Sequence, residues 1–194
     1  MVAMTIADAW PATGRAFTVD DLDRMPRDGH RYELLDGVLI VSPRPSWAHQ
    51  EVAGELLVML RQRCPADLRA FAEPAVQLAA HTEFDPDIVV VRRARLGDAR
   101  AKITTPPLLV MEVRSPSTAL IDLTRKKSAY ARFGVESYWI VVPDPDRPEL
   151  IAFELRHGRY KQVARVTGDQ SFRAERPFAV ELVPSRLVAG LLPD

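Results

Sequence analysis

Two acidic residues interrupt segments that otherwise have the composition of buried β-strands. Asp87 stands at the start of an apolar, β-branched run that continues through Val91, and Glu112 lies inside the apolar run Leu108–Val113. A carboxylate that is removed from water destabilises the fold unless a partner neutralises it, and a shared cation is one such partner. The two segments therefore predict a sheet in which neighbouring core strands bring two acids together around a cation.

Length and charge limit the classes of protein to consider. The chain has 194 residues, with 26 Lys plus Arg against 26 Asp plus Glu, which is enough for one domain and argues against a constitutively basic nucleic-acid coat. Cys64 is the single cysteine, so we expect neither a disulfide framework nor a cysteine zinc site, as is typical of a cytoplasmic protein. We expect no signal peptide and no membrane span. We also expect a flexible arm over residues 1–16 and a single domain over residues 17–194.

The order of apolar runs and turn signals predicts an α/β (α+β) fold, with a mixed β-sheet flanked by helices. Asp36-Gly37 predicts an N-terminal β-hairpin, and His157-Gly158 predicts a C-terminal one. Ser46 is a good N-cap for a helix that extends to about Arg63. Strands are expected around 69–79, 87–92 and 107–114, and a second helix is expected over 122–133. A short helix after Thr18 and a C-terminal strand and helix complete the prediction.

Lys126 occupies an unusual place in the second predicted helix. At about 100° per residue, it lies near the middle of the apolar stripe of that helix, which also contains Ala129 and Tyr130. A lysine in that place either extends its amine to solvent or meets a buried anion. Lys126 is therefore a candidate for stabilising charge beside the two carboxylates, and Lys127 lies on the flank of the stripe.

The other candidate residues have structural and functional interpretations side by side. Asp87 could cap a turn, and Glu112 could pair with Arg114. His49 is on the inward stripe of the first long helix, where it could serve as a core residue or take part in proton transfer. Glu33 faces Ile40 across the predicted hairpin and could be an edge-strand charge or a third acid at the site. A basic group could follow a nucleic-acid backbone or form a solvated loop: Arg92, Arg93, Arg95, Arg100 and Lys102.

The functional interpretation of these acids is a magnesium site. Mg²⁺ prefers oxygen ligands and is usually held by one or two carboxylates together with water and substrate phosphate. Asp87 and Glu112, with the backbone carbonyl of Val113, would meet that preference. The interpretation as a whole is a metal-dependent nuclease in which Lys126 assists and in which Glu33 or His49 acts from the rim of the site.

The constellation resembles the PD-(D/E)xK nuclease superfamily, and within it the bacterial Uma-two family of restriction endonucleases. The resemblance spans about residues 17–190 and includes His49 at the position of the family's helix histidine. It rests on three strings: residues 32–37 (YELLDG), residues 112–118 (EVRSPST), and Lys126 followed by Tyr130, Gly134-Val135 and residues 138–141 (YWIV).

The resemblance implies a restriction-endonuclease-like core and Mg²⁺-dependent hydrolysis of phosphodiester bonds, with Asp87 and Glu112 as ligands. In the superfamily signature the lysine stands two residues after the second acid, where this chain has Arg114. An arginine does not lose its proton, although it can bind phosphate. The resemblance implies that the lysine comes from the following helix instead, and Lys126 matches that position.

These observations predict an endonuclease that acts on nucleic acid, with DNA as the expected substrate, Mg²⁺ as the cofactor and Mn²⁺ as its substitute. A homodimer is expected because enzymes that cut both strands commonly pair two sites. One alternative is a catalytically inactive nucleic-acid-binding or assembly module on the same fold. Another is a metal hydrolase that acts on a different phosphoester, such as a nucleotide.

Overall fold

A computed structural model describes residues 14–99, 101–114 and 122–191 of the chain. Most of the predicted arm, Arg100 of the basic group and Ser115–Thr118 of the second family string lie outside these residues. The described strands, in chain order, are β1 (Arg31–Leu35), β2 (Val38–Ser42), β3 (Leu68–Ala72), β4 (Val76–Ala79), β5 (Thr82–Phe84), β6 (Ile88–Arg92), β7 (Leu109–Val113), β8 (Ser137–Val142), β9 (Glu149–Arg156), β10 (Arg159–Thr167), β11 (Phe172–Ala174) and β12 (Val180–Leu182).

Helices connect and cover these strands. Their bounds are α1 (Val19–Leu22), α2 (Trp47–Arg63), a π-helical turn (Asp122–Lys126) that leads into α3 (Lys127–Phe133), and α4 (Pro184–Leu187), with single 3₁₀ turns at Arg93–Arg95 and Ala189–Leu191. Ser46 caps α2 by accepting the amide of His49, as predicted. Gly134 ends α3 in the left-handed region at φ 87°, which a glycine adopts without steric cost.

The larger sheet contains six strands in the order β10-β9-β8-β7-β6-β3. Strands β7 and β8 are parallel, and the other neighbours are antiparallel. A parallel pair needs a crossover connection, and this crossover contains the π-helical turn and α3. The mixed sheet and its flanking helices confirm the predicted fold class.

The smaller sheet has the order β2-β1-β5-β4 and begins with the predicted N-terminal hairpin. Asp36 and Gly37 both have positive φ, 49° and 81°, as a two-residue hairpin turn of this twist requires. A Cβ on Gly37 would lie 2.6 Å from the Cβ of Ala16, so no larger residue fits there. The register sets Glu33 opposite Ile40, as expected. The second predicted hairpin, at His157-Gly158, joins β9 to β10.

Two apolar layers cover the two faces of the larger sheet. On one face, Val52, Leu56 and Leu60 of α2 pack with Met111 of β7 and with the C-terminal strands. On the other face, residues of the smaller sheet and of α3, such as Phe84 and Tyr130, pack with Val89 and Val110. Side chains alternate along a strand, so Glu112 shares a face with Val110. The candidate site therefore forms where the smaller sheet and the crossover meet this second face.

The structure departs from the predicted elements in three places. The stretch 69–79 forms two strands, β3 and β4, which belong to different sheets. Glu73, at φ 47°, and Pro74 separate them, because proline disfavours the continuing ladder. The short strands β5 and β11 were not predicted, since three residues are too few to show a period. The helix expected over 122–133 begins as a π-helical turn rather than an α-helix.

In the part of the chain that the structure describes, no helix combines the length and the apolar character needed to cross a membrane.

Candidate active site

The two acids that interrupt the core strands lie beside each other at one end of the larger sheet. Strands β6 and β7 pair antiparallel with Ile88 opposite Met111, and continuing this register by one residue sets Asp87 opposite Glu112. The backbone N–H of Val113 donates to Asp87 Oδ2 at 2.7 Å, which ties the two strand ends together. Both acids are buried, with 1% and 2% exposure.

The amine of Lys126 lies between two buried carboxylates. Its Nζ is 2.9 Å from Glu33 Oε1 and 3.3 Å from Glu112 Oε1, and the residue is 2% exposed. Ala129 and Tyr130 of the same stripe are also buried, whereas Arg125 and Ser128 are exposed. The expectation that Lys126 faces inward to meet an anion therefore agrees with its position.

Tyr130 completes the surroundings of Glu112. Its hydroxyl donates to Glu112 Oε1 at 2.8 Å, from one helical turn beyond Lys126. Complete burial raises the pKa of Tyr130 well above its ordinary value, and the nearby Glu112 carboxylate raises it further. The phenol therefore stays protonated and donates to the carboxylate across the pH range in which proteins function.

The two carboxylate oxygens of Asp87 have different partners. Oδ2 accepts the amide of Val113 and lies 3.1 Å from His49 Nε2. Oδ1 lies 3.3 and 3.4 Å from the two terminal nitrogens of Arg31. Burial works to raise the pKa of Asp87, but the hydrogen bond and charge of His49, with Arg31 and the Val113 amide, outweigh burial and lower it. Asp87 is therefore held as the anion, which is the form that binds cations.

His49 reaches Asp87 from the first turn of α2 and is itself buried. Its second ring nitrogen, Nδ1, is buried without a hydrogen-bond partner among the described residues. Nε2 is the ring nitrogen that faces the carboxylate, 3.1 Å from Asp87 Oδ2, so the contact fixes the relative orientation of the imidazole and the carboxylate. The contacts of His49 therefore favour an orienting hydrogen bond to Asp87.

Asp85 places a fourth acid near Glu33. The backbone N–H of Asp85 donates to Glu33 Oε1 at 3.1 Å, so one oxygen of Glu33 accepts both this amide and Lys126. Burial raises the pKa of the Asp85 side chain to about 6, and the negative charge of Glu33 adds to the effect. Among the described residues, the site therefore brings together more acids than permanently charged cations.

The donor chemistry of the site fits a divalent cation. Three buried carboxylates, those of Glu33, Asp87 and Glu112, face two permanent cations of the described residues, Lys126 and Arg31. Hard oxygen atoms with an excess of negative charge are what Mg²⁺ and Mn²⁺ prefer. Within residues 14–99, 101–114 and 122–191, no group of three or more His, Cys, Asp and Glu side chains is arranged to hold a metal ion. The predicted ligand set instead has two side chains and the carbonyl of Val113.

Three residues of the site were not singled out from the sequence in these roles: Arg31, Asp85 and Tyr130. Arg31 is two residues before Glu33 in β1, so strand alternation places both on one face. Asp85 precedes Asp87 by the same spacing. Tyr130 follows Lys126 by four residues, and residues at that spacing are neighbours on a helix. Periodicity could therefore have found Arg31 and Tyr130, whereas Asp85 lies in the loop between β5 and β6 and its signal was its closeness to Asp87 in the sequence.

Among the described residues, the members of the predicted basic group and Arg114 take no part in these contacts. Arg92, Arg93 and Arg95 are exposed, in agreement with the interpretation as a solvated loop. Lys102 pairs with Asp23 at 2.5 Å and with Glu83 at 2.9 Å. Arg114 is partly buried, and its backbone N–H donates to the carbonyl of Val141 at 2.7 Å, which extends the β7–β8 ladder.

Comparison with known proteins gives two positive findings. The sequence matches the family model Uma2, described as "Putative restriction endonuclease", over residues 19–187. The structure is similar to the crystal structure of a "putative nuclease belonging to DUF820" from Anabaena variabilis ATCC 29413, with a TM-score of 0.71 and 21% sequence identity. The similarity covers 91% of this chain and 99% of that chain. At this identity, the similarity establishes a shared fold. A search among curated proteins gave no match.

Proposed function

The chain belongs to the Uma2 family, and on that premise we propose that it is a metal-dependent endonuclease that hydrolyses phosphodiester bonds of DNA. The observation that carries the proposal is the position of Lys126, which is 2% exposed and lies between Glu33 and Glu112. Structural ion pairs seldom bury two carboxylates around one lysine, because desolvation of the charges costs several kcal/mol per ion.

In this proposal, Asp87, Glu112 and the backbone carbonyl of Val113 hold Mg²⁺, and Mn²⁺ can take its place. When bound, the ion would lower the pKa of a water molecule and neutralise charge on the scissile phosphate. The carboxylates can do this because Asp87 is held ionised by its neighbours and because Tyr130 fixes one oxygen of Glu112 at 2.8 Å.

Lys126 supplies the positive charge that the reaction needs. Hydrolysis forms a bond from the water oxygen to phosphorus and breaks the bond from phosphorus to the leaving oxygen, which takes up a proton. Negative charge builds up on the phosphoryl oxygens in the transition state, and a preorganised ammonium group stabilises that charge. Glu33 fixes the direction of the Lys126 amine through its contact at 2.9 Å.

His49 acts on the other carboxylate. Its Nε2 lies 3.1 Å from Asp87 Oδ2, and the Val113 amide holds the same oxygen at 2.7 Å. These two contacts fix the orientation of Asp87. Partners that orient metal ligands in this way typically affect metal affinity or activity by about 10–100-fold.

The proposal also includes the assembly and location of the protein. Cleavage of both strands of a duplex by a chain with one such site calls for two copies, so we infer a homodimer on the substrate. The single cysteine Cys64 is unpaired, which fits the reducing cytoplasm. Light scattering of the protein with and without duplex would test the stoichiometry.

A substrate panel tests the function directly. Plasmid, single-stranded DNA, RNA and nucleotides would be incubated with the protein in Mg²⁺, in Mn²⁺ and in EDTA. We expect cleavage of DNA in both metals and none in EDTA. Glu112→Gln should abolish cleavage, whereas Glu83→Gln should retain it, because Glu83 is a buried acid whose partner is Lys102 outside the site. Metal-independent DNA binding without cleavage would support the inactive binding module instead.

A further inference from the structure

Arg31 brings a second cation to the candidate site. It is the first residue of β1, on the same face as Glu33, and its side chain is 18% exposed. Its Nη2 lies 2.5 Å from the carbonyl oxygen of Asp85 and 3.3 Å from Asp87 Oδ1. Arg31 therefore contacts Asp87 while part of its side chain remains accessible to solvent.

The contact of Arg31 with Asp87 is loose. Charge-assisted hydrogen bonds between nitrogen and carboxylate are typically about 2.7–2.9 Å long, whereas the two Arg31 nitrogens lie 3.3 and 3.4 Å from Oδ1. The short contact of the guanidinium is with the neutral Asp85 carbonyl. The side chain is thus anchored by the backbone and only weakly held by the acid.

A divalent cation and Arg31 would compete for the same oxygen. Asp87 Oδ2 already accepts two groups, Val113 N–H and the His49 ring, so Oδ1 is the oxygen that faces Arg31 alone among the described residues. A cation bound between Asp87 and Glu112 would repel the guanidinium and take over the charge that it neutralises. The guanidinium would keep its Asp85 anchor and its distant partner Glu73, 3.7 Å away and half exposed.

The displaced guanidinium would be suited to phosphate. Arginine carries five N–H donors in a planar fork that matches the geometry of a phosphate group. A guanidinium is effectively always protonated in proteins, so the group stays charged whether or not it touches Asp87.

We propose that Arg31 has two positions, one in which it neutralises Asp87 in the free protein and one in which it binds a substrate phosphate after a divalent cation has taken its place. This inference rests on the proposed function and adds a residue that links metal binding to substrate binding. Without nucleic acid, a bound metal would have to displace Arg31 from Asp87. With nucleic acid present, the displaced guanidinium would find a new partner in a phosphate group.

The first experiment titrates Mn²⁺ into the protein without nucleic acid, by calorimetry. Arg31→Gln should bind Mn²⁺ about tenfold more tightly than the wild type, because the competing charge is gone. Arg31→Lys keeps a charge and should stay within about threefold of the wild type. The matched control is Arg165→Gln, which removes an exposed arginine of the edge strand β10 that pairs with Glu149 and should not alter the affinity. Thermal unfolding confirms that each variant is folded.

The second experiment measures duplex affinity with Ca²⁺ across a range of salt concentrations. Arg31→Gln should bind about tenfold more weakly, and the slope of log affinity against log salt should fall by about 1, as expected for one lost phosphate contact. Arg31→Lys should lose part of the affinity but keep the slope. A purely structural ion pair with Asp87 would leave the slope unchanged.

The outcomes separate this inference from the proposed function. If Arg31→Gln binds Mn²⁺ no more tightly than the wild type, or binds duplex with the wild-type salt slope, the two-position role of Arg31 is wrong even where the wild type cleaves DNA. If the wild type binds neither Mn²⁺ nor duplex, the proposed function itself fails. Tighter Mn²⁺ binding together with a reduced salt slope supports the inference.

Discussion

Lys126 Nζ lies 2.9 Å from Glu33 Oε1, although 93 positions separate the two residues in the sequence. The pair joins β1 of the smaller sheet to the crossover that follows β7 of the larger one, and neither side chain is more than 3% exposed. A buried ion pair of this kind is seldom more stabilising than apolar residues of the same volume. The proposed nuclease chemistry gives this pair a role beyond stability at the point where the two sheets meet.

Lys126→Gln should separate the contribution of Lys126 to stability from its contribution to catalysis. We expect the free energy of unfolding to fall by about 3 kcal/mol, because Glu33 and Glu112 lose their buried partner, and we expect cleavage to fall at least about 100-fold. The double variant Glu33→Gln/Lys126→Gln should recover part of the stability but none of the activity. Chemical denaturation and plasmid cleavage measure the two effects.

The neighbouring lysine provides the control for this test. Lys127 Nζ lies 3.6 Å from the centre of the Phe153 ring, outside the acid cluster. Lys127→Gln should lose about 0.5–2 kcal/mol of stability and keep its activity. If the double variant cleaves like the wild type, Lys126 has no catalytic role.

Tyr130→Phe removes one hydroxyl and leaves the aromatic packing in place. The hydroxyl donates to Glu112 Oε1 at 2.8 Å, and a hydrogen bond to a charged group contributes about 1.5–3 kcal/mol. We expect that loss in stability together with a weaker affinity for Mn²⁺. Tyr160→Phe is matched, because its hydroxyl donates to the carbonyl of Val135 at 2.9 Å and it should lose stability alone. Equal Mn²⁺ affinity in both variants would show that Tyr130 does not orient Glu112.

His49→Gln should reduce metal affinity or cleavage by about 10–100-fold, as is typical when a partner of a metal ligand is lost. The physical reason is that Asp87 Oδ2 would lose the imidazole that lies 3.1 Å away. His81→Gln is the comparison, since His81 Nδ1 lies 2.7 Å from the backbone carbonyl oxygen of Phe17 rather than from a carboxylate. An unchanged Mn²⁺ titration for His49→Gln would leave the histidine a structural residue.

The N-terminal cap of α1 predicts a dependence of stability on pH. Arg15 and the backbone and hydroxyl of Thr18 hold the pKa of Asp21 well below its ordinary value, so folding favours the ionised form. That contribution is fully present above the unfolded pKa, about 3.9, and is lost as the pH falls towards the folded pKa. Asp21→Asn should therefore lower the melting temperature at pH 7 and have a smaller effect at pH 3. The exposed neighbour Asp20→Asn serves as the control, and an equal effect at both pH values would contradict the assignment.

Local signals in the sequence predicted much of the fold. Asp36-Gly37 and His157-Gly158 fix two-residue turns because their backbones adopt positive φ. Ser46 fixes the start of α2 because its hydroxyl accepts the amide of His49. The division of 69–79 between two sheets could not be predicted from periodicity, because strand pairing depends on contacts with segments that are distant in the sequence. The sequence signal for a break between the two strands was Pro74, because proline disfavours a continuing ladder.

The site was predictable in its residue types and less so in its contacts. Lys126 could be placed facing inward because the helical stripe is local, although the structure begins that helix as a π-helical turn. The hydrogen bond from Lys126 Nζ to Glu33 could not be predicted, because it depends on how the smaller sheet packs on the larger one. Strand alternation could have placed Arg31 on the same face as Glu33. That Arg31 contacts Asp87 rather than another acid depends on the tertiary packing.

The central claim is that Asp87, Glu112 and Lys126 form one divalent-ion site of a nuclease. The most direct measurement is the anomalous diffraction of a crystal soaked in Mn²⁺, alongside the same soak of Glu112→Gln. We expect a single strong peak between the carboxylates of Asp87 and Glu112 in the wild type and its loss in the variant. A wild-type crystal with no peak there, or with an equal peak in the Glu112→Gln crystal, would contradict the claim.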